Sequence, residues 1–330
     1  MNNEATMHKK ILIYNSGGGL GDSIQLFPLV LSLKNHFNNC TFYYLGSHQN
    51  HFNRGLKDYN IHLENIDLDL KYFGFRWWHL LKVKKKVTEK NIGKFDLVID
   101  TQSKIRNTLV LMQIPTHSFF STTFKFFFCS NKNNYFKQID NISTSLLSNL
   151  EIFLSTKIRS INFNLNSLDL KYVDEAKKLL PGQNYIGFSV TQGNTYREKS
   201  WPIENFIELA KKYMLRRKKI VFFIKKTDSE LITYIKDKLP SAIFPESMSA
   251  ISSPALVTAL AARLEKTVTI DNGIMHMVSL AGTEMVILFG PTNSKKFAPK
   301  RNNIKILDSK QLYKSKNIRK ISVNDVFNYF

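Results

Sequence analysis

The residues from Thr267 to Pro299, TVTIDNGIMHMVSLAGTEMVILFGPTNSKKFAP, hold the clearest arrangement of groups able to do chemistry. A β-branched apolar run, Thr267 to Ile270, stops at Asp271-Asn272-Gly273, and a helical segment from Ile274 to Leu280 ends at Ala281-Gly282. A glycine entering a helix exposes unpaired backbone N–H groups, and the helix dipole favours an anion there. Phosphate is the obvious anion. Asp271 ends the strand and His276 falls in the first helical turn, so both can face whatever occupies the mouth. The competing reading is a helix cap and a core histidine.

A second loop of interest lies near the start. The apolar run Ile11 to Asn15 leads into Ser16-Gly17-Gly18-Gly19-Leu20-Gly21-Asp22-Ser23, where missing side chains let a ligand approach the backbone. The spacing fails the G-x-G-x-x-G template because position 22 is Asp, and no G-K-[ST] of a P-loop is present. A Rossmann dehydrogenase is therefore disfavoured. Asp is also a favoured helix-capping residue, which is the plain reading of Asp22. Asp67-Leu68-Asp69 has the D-x-D spacing of a metal motif, but in a polar run with no preceding strand, so no metal is assigned to it.

These residues need a frame of strand ends. In the first half, Ile11 to Asn15, Thr41 to Gly46, Phe95 to Thr101 and Ile161 to Leu165 read as strands, and Leu29, Leu33 and Phe37 mark a helical stripe. In the second, Tyr185 to Val190 and Ile220 to Ile224 read as strands. Pro202 suits the first position of a helix striped by Ile203, Phe206, Ile207, Ala210, Tyr213 and Met214. Val323 to Phe330 reads as a short closing helix. Two stretches, Tyr72 to Lys90 and His117 to Phe136, mix aromatic and basic residues. That composition suits an anionic lipid or acceptor surface, and equally a core helix with a solvated lysine face.

At 330 residues the chain is long enough for about two domains, and 43% hydrophobic with 12% aromatic residues says globular. Lys and Arg number 47 against 26 Asp and Glu, a net charge of +21 that implies an anionic partner or surface without choosing one. Cys40 and Cys129 show no metal spacing, which argues for a reducing compartment and no structural zinc. No secretory signal and no run of about 20 apolar residues is visible. The expected place is the cytoplasm, with a peripheral position on the cytoplasmic face of the inner membrane as an extension of that reading.

DNGIMHMVSLAGTEMVILFGPT resembles the signature of family 9 glycosyltransferases, the group containing the ADP-heptose:lipopolysaccharide heptosyltransferases. The chain matches it at Asp271, Gly273, His276, Gly282, Phe289, Gly290 and Thr292. It departs at Asn272, where the family usually has Ser or Thr; asparagine can still donate a hydrogen bond. Gly21-Asp22, followed by Ser23-Ile24-Gln25-Leu26-Phe27-Pro28, is similar to the family's first loop, and Lys199-Ser200-Trp201-Pro202 to its K-x-W-P arrangement. The resemblance thus runs through most of the chain in order.

What the resemblance implies is an α/β protein of GT-B architecture, two Rossmann-like doubly wound domains facing across a cleft. The expected division is 1–165, with the acceptor side and catalytic base, and 166–330, with the donor site and a last helix that crosses back. Asp22 inherits the role of base and Lys199 that of offsetting charge on the departing diphosphate. Gly19, Gly21, Thr195, Arg197, Asp271, Asn272, Gly273 and His276 are donor-binding candidates, and Glu230 a candidate for the ribose. The implied reaction is inverting and needs neither metal nor cofactor, moving a heptose or other sugar from an NDP-sugar, ADP-linked by the resemblance, to a lipopolysaccharide or related glycan. Nucleic acid is not an expected partner. Two alternatives stay open: a basic nucleic-acid binder, although no RNP, helix-turn-helix or zinc-finger pattern is present, and a catalytically inactive relative that binds a nucleotide sugar.

Overall fold

The computed structural model describes residues 10–47, 49–135, 142–192 and 198–329. Two compact units emerge, one formed by Met1–Lys57 with Ile61–Phe163, the other by Asp58–Asn60 with Asn164–Phe330. The first unit contains β1 (Lys10–Asn15), α1 (Leu20–Ile24), α2 (Phe27–His36), β2 (Thr41–Gly46), β3 (Glu64–Asn65), α3 (His79–Glu89), β4 (Phe95–Asp100), α4 (Ile105–Leu111), β5 (Thr116–Ser121) and α5 (Ile142–Leu154). The second contains α6 (Leu170–Leu179), β6 (Tyr185–Ser189), α7 (Ile203–Leu215), β7 (Lys219–Phe223), α8 (Ser229–Lys238), α9 (Pro245–Met248), α10 (Pro254–Ala261), β8 (Lys266–Ile270), α11 (Gly273–Leu280), β9 (Glu284–Phe289), α12 (Ser294–Phe297), β10 (Ile304–Asp308), α13 (Ser309–Tyr313) and α14 (Val323–Phe327).

Each unit is built on one parallel sheet, ordered β3-β2-β1-β4-β5 in the first and β10-β9-β8-β6-β7 in the second. Sheets of this kind are covered on both faces, so their strands read as continuous apolar runs rather than alternating ones. Ile11, Leu12, Ile13 and Tyr14 of β1 and Val286, Ile287, Leu288 and Phe289 of β9 are all inaccessible to solvent. In each sheet the strand order reverses once, between β1 and β4 and between β6 and β8. Ligands of doubly wound sheets bind in the crevice that opens beyond the strand ends at such a reversal.

Several local expectations need correction. Residues 161–164 form no strand, and the only regular structure there is a single turn of 3-10 helix at Leu165–Ser167; Ile161 spends its N–H on Ser32 Oγ of α2 at 2.8 Å rather than on a ladder. Pro202 caps α7 instead of opening it, with ψ 137 in the extended range. A strand, β3, does precede Asp67, because Glu64 and Asn65 pair with Tyr43 and Tyr44. The closing helix α14 does not leave its own unit. Val323 and Val326 join the second core, Phe327 packs on Tyr213 of α7 at 5.5 Å, and Trp201 Nε1 donates to Ile321 O just before it.

Residues 58–60, embedded in the sequence of the first half, belong by contact to the second unit. Tyr59 donates from its hydroxyl to Pro254 O at 2.8 Å and lies 2.7 Å from Thr258 Oγ1, while Ser253 Oγ donates to Asp58 Oδ2. Among the described residues no helix is long and apolar enough to cross a membrane.

Candidate active site

In the second unit the sequence candidates converge on the reversal between β6 and β8. Asp271 follows β8 directly, and Asn272 caps α11, its Oδ1 accepting from Met275 N–H at 2.9 Å. A cap of this kind is worth about 1 kcal/mol. The Asn272 amide does more than cap. Its Nδ2 donates to Ser189 Oγ at 2.7 Å and to Thr191 O at 2.8 Å, tying the turn after β8 to the end of β6. A Ser or Thr hydroxyl can cap, but it has no second arm with which to make that tie.

Lys199 reaches the same point from the segment between β6 and α7. Its Nζ stands 2.6 Å from Asp271 Oδ2 and 3.5 Å from Asp271 O, and its N–H donates to Gln192 Oε1 at 3.0 Å. The two side chains are only 18% and 9% exposed, so the pair is shielded more than a surface ion pair. Beside it the N–H of Met275 is taken by Asn272, while those of Gly273 and Ile274 have no hydrogen-bond acceptor among the described residues. An ammonium and a helix N-terminus together form an anion site of fixed geometry, with Asp271 orienting the ammonium.

The remaining candidates of this unit are spread more widely. His276 sits in α11 but is 5% exposed, beneath the mouth rather than in it. Glu230 lies exposed in the first turn of α8, at the carboxyl end of β7. Thr195 and Arg197 fall outside the described residues. Glu246, which the sequence did not single out, is the less expected group: its Oε1 is buried with no hydrogen-bond partner among the described residues, and burial pushes its carboxyl up to about 7. Lys225 and Asp228, which follow β7, are near enough to act on its charge. Only an unpartnered buried carboxylate could have marked it, and that is invisible in sequence.

In the first unit the loop after β1 is clamped from several sides. Asn15 Oδ1 accepts from Gly17 N–H at 2.9 Å and from Gln102 Nε2 at 3.0 Å, which joins the ends of β1 and β4 at that sheet's own reversal. Ser47 Oγ donates to Ser16 O, and the buried His51 ring holds Gly18 O at 3.1 Å through Nε2. Gly19 is the residue before α1, and Gly21 and Asp22 lie in its first turn. Asp22 is the third residue of α1 and Gly19 its N-cap, so the carboxylate does not cap the helix as an N-cap Asp would; its Oδ2 instead reaches back to accept from Gly19 N–H at 3.1 Å. Its other oxygen takes no hydrogen bond among the described residues. A Cβ on Gly17 would come within 2.5 Å of Asp22 Cβ, so glycine there is what lets this side chain lie against the loop.

On the β2 and β3 side of this loop lies a cavity of 570 Å³ with Gln49, Asn53, Arg54, Asp67 and Lys71 among its lining. The D-x-D pair at its rim is engaged internally: Asp67 Oδ1 accepts from Asp69 N–H, and Asp69 pairs with Lys90 at 2.7 Å.

The description "Glycosyltransferase family 9 (heptosyltransferase)" fits residues 80–327, three quarters of the chain. Lipooligosaccharide heptosyltransferase 2 of Campylobacter jejuni subsp. jejuni is 23% identical over 288 residues, covering 86% of this chain and 82% of the relative. Among solved structures, a family 9 glycosyl transferase from Veillonella parvula superposes with a TM-score of 0.69 at 19% identity, covering 97% of this chain and 95% of that one. The Escherichia coli heptosyltransferase WaaC, solved with ADP-2-deoxy-2-fluoro heptose, gives 0.66 at 14% identity, covering 97% and 98%. These likenesses identify two parallel α/β halves as the GT-B fold, and the family match covers the Lys199, Asp271 and Asn272 cluster. The chain belongs to glycosyltransferase family 9 and is a glycosyltransferase of the heptosyltransferase kind.

Proposed function

We propose that this enzyme transfers a heptose or related sugar from an ADP-linked donor to a lipopolysaccharide or similar glycan, with inversion and without a metal ion. The observation that carries the proposal is the Lys199–Asp271 pair at the N-terminus of α11, a cationic and amide-rich pocket at a sheet reversal. ADP as the nucleotude carrier rests on the relative solved with an ADP-heptose analogue.

In this reading the second unit holds the donor and the first unit supplies the acceptor side and the base. Asp22 takes the proton of an acceptor hydroxyl through its unbonded oxygen. That hydroxyl oxygen forms a bond to the anomeric carbon as the bond to the diphosphate oxygen breaks, and one displacement inverts the centre. The electron pair leaves with the nucleoside diphosphate, whose growing charge is met by Lys199 and the amides of Gly273 and its successor. Those groups are placed before the reaction begins, which is why a metal is not required. Gly19 and Gly21 allow close approach to the first loop, and Thr195 and Arg197 are assigned to the diphosphate loop.

Ribose recognition falls to Glu230 or Glu246, both beyond the carboxyl end of β7; the unpartnered oxygen of Glu246 favours it. The amide-lined cavity beside β2 and β3 is a natural seat for an acceptor sugar, whose hydroxyls both donate and accept. The site of action is the cytoplasmic face of the inner membrane. A thermal-shift screen of ADP, UDP, GDP and their sugars tests the donor assignment. Selective stabilisation by ADP and ADP-heptose is expected, and equal shifts with all three nucleotides, or none, would reject it.

A further inference from the structure

The aromatic and basic stretches of the first unit are only partly used by the core. Val83, Val87 and Phe119 are buried, but Trp77 is 54%, Trp78 47%, Leu81 85%, Phe124 64% and Phe127 66% exposed. The segments that carry these side chains are linked through their neighbours. Lys104 Nζ lies 5.1 Å from the ring of Phe75, Arg106 Nε donates to Gly74 O, and Ser103 Oγ meets Thr122 Oγ1 at 2.8 Å. The loops entering α3 and α4 and the loop after β5 are thereby joined.

Topology says which end of the sheet they occupy. The strands are all parallel. The loop after β5, the start of α4 after β4, and the start of α3, which must run back to feed β4, therefore share the carboxyl end of the sheet with the loop of Asp22.

Two further observations separate this surface from an ordinary scatter of exposed residues. The first is charge. No Asp or Glu occurs between Lys71 and Thr88 or between Thr101 and Tyr135, while Lys82 stacks on Trp78 at 4.7 Å and Lys132 on Phe127 at 5.0 Å. The second is backbone conformation. Phe124, Lys125 and Phe126 all have positive φ, at 47, 54 and 66, each unfavourable by about 1–2 kcal/mol for an L-residue. Phe126 is anchored inward, stacked on Tyr135 at 4.6 Å, and the turn holds Phe124 and Phe127 outward in water. Opposite, Tyr14 Oη donates to Phe73 O, and Gly74, with φ 83, leaves no room for a Cβ beside that hydroxyl, fixing the base of the Trp77 loop.

We propose that this face docks on an anionic phospholipid bilayer. Trp and Phe enter the headgroup boundary, and the lysines beside them meet lipid phosphates, a combination in which each basic residue adds roughly 1 kcal/mol. Docking this end of the sheet would set the loop of Asp22 beside the membrane surface, where a lipid-carried acceptor is found. The proposal deepens the acceptor reading above and rests on it only for its purpose.

The test is partition of the full chain onto vesicles of phosphatidylethanolamine and phosphatidylglycerol, compared with phosphatidylcholine. About tenfold or greater preference for the anionic vesicles is expected. A combined Trp77→Ser, Trp78→Ser, Phe124→Ser and Phe127→Ser variant should reduce partition at least about tenfold while ADP-sugar affinity is unchanged. A second measurement does not depend on the quadruple variant: brominated lipids should quench Trp77 and Trp78, whereas buried Trp201 of a Trp77→Phe, Trp78→Phe protein stays unquenched. Failure to bind anionic vesicles, partition untouched by the quadruple substitution, binding without quenching, or protection of this face by RNA instead of vesicles would each overturn the proposal. Donor affinity is measured separately, so loss of the donor reading would be seen independently.

Discussion

Lys199 Nζ and Asp271 Oδ2 lie 2.6 Å apart at the end of β8, joining residues 72 positions apart in the sequence. The pair holds the ammonium against the turn that opens α11, and in the proposed mechanism it offsets the carboxylate that would otherwise repel a diphosphate. Replacing Lys199 with Met should weaken ADP-sugar binding at least about tenfold and lower kcat by roughly 10²–10³, the usual range for loss of one charge-stabilising group. It should also destabilise the unit by about 1–3 kcal/mol, because Asp271 is left buried without its partner. Adding Asp271→Asn should restore the stability and not the turnover. Calorimetry of binding and of unfolding separates the two effects.

Asn272 gives a structural prediction with a built-in control. Asn272→Ala removes the cap and both bonds toward β6, and should cost about 2 kcal/mol or more. Asn272→Ser keeps a capping oxygen but not the tie to Ser189 and Thr191, and should cost about 1 kcal/mol with activity retained. An Asn272→Ser protein as stable as the parent in denaturant unfolding would show that the tie contributes nothing.

Much of this architecture was legible in the sequence for one reason: parallel strands buried on both faces must be short apolar runs, and each ends in a polar turn. Thr267 to Ile270 and Phe95 to Thr101 are of that kind. Ile161 to Leu165 has similar composition but joins neither sheet, and Ile161 gives its N–H to Ser32 Oγ instead. The turns that carry Asp22 and Asp271 were readable because each follows an apolar run and opens on glycine or a polar turn residue. Glu246 and the His51 clamp on Gly18 were not, since both depend on contacts between segments distant in the chain.

Two buried carboxyls set a pH dependence of stability. Burial raises Asp100 from 3.8 to about 6, although Thr108, Ser121 and the Gln102 N–H all donate to it. The folded pKa lies above the unfolded one, so the stability from the bound proton is full below about pH 4 and lost as pH rises through 6. That amounts to about 2–3 kcal/mol. Asp100→Asn should therefore melt higher than the parent at pH 7.5 and show a flatter profile between pH 4 and 6. Glu246, raised from 4.5 to about 7 by burial, should act in the same direction over pH 5–7, and Glu246→Gln should remove that part of the slope. Melting temperatures across pH 4–8 for the three proteins check both signs.

In the proposed mechanism Asp22 carries the chemistry that distinguishes a transferase from a nucleotide-sugar binder. Its Oδ2 is held by Gly19 N–H, an interaction that Asn can imitate through its carbonyl oxygen, so Asp22→Asn preserves the loop while removing the base. The most direct measurement is single-turnover transfer from ADP-heptose to a lipopolysaccharide-core acceptor by this variant, alongside its donor affinity. Transfer should fall by about 10²–10⁴ with donor affinity within about twofold of the parent. Undiminished transfer, or donor affinity lost in step with it, would contradict Asp22 as the base.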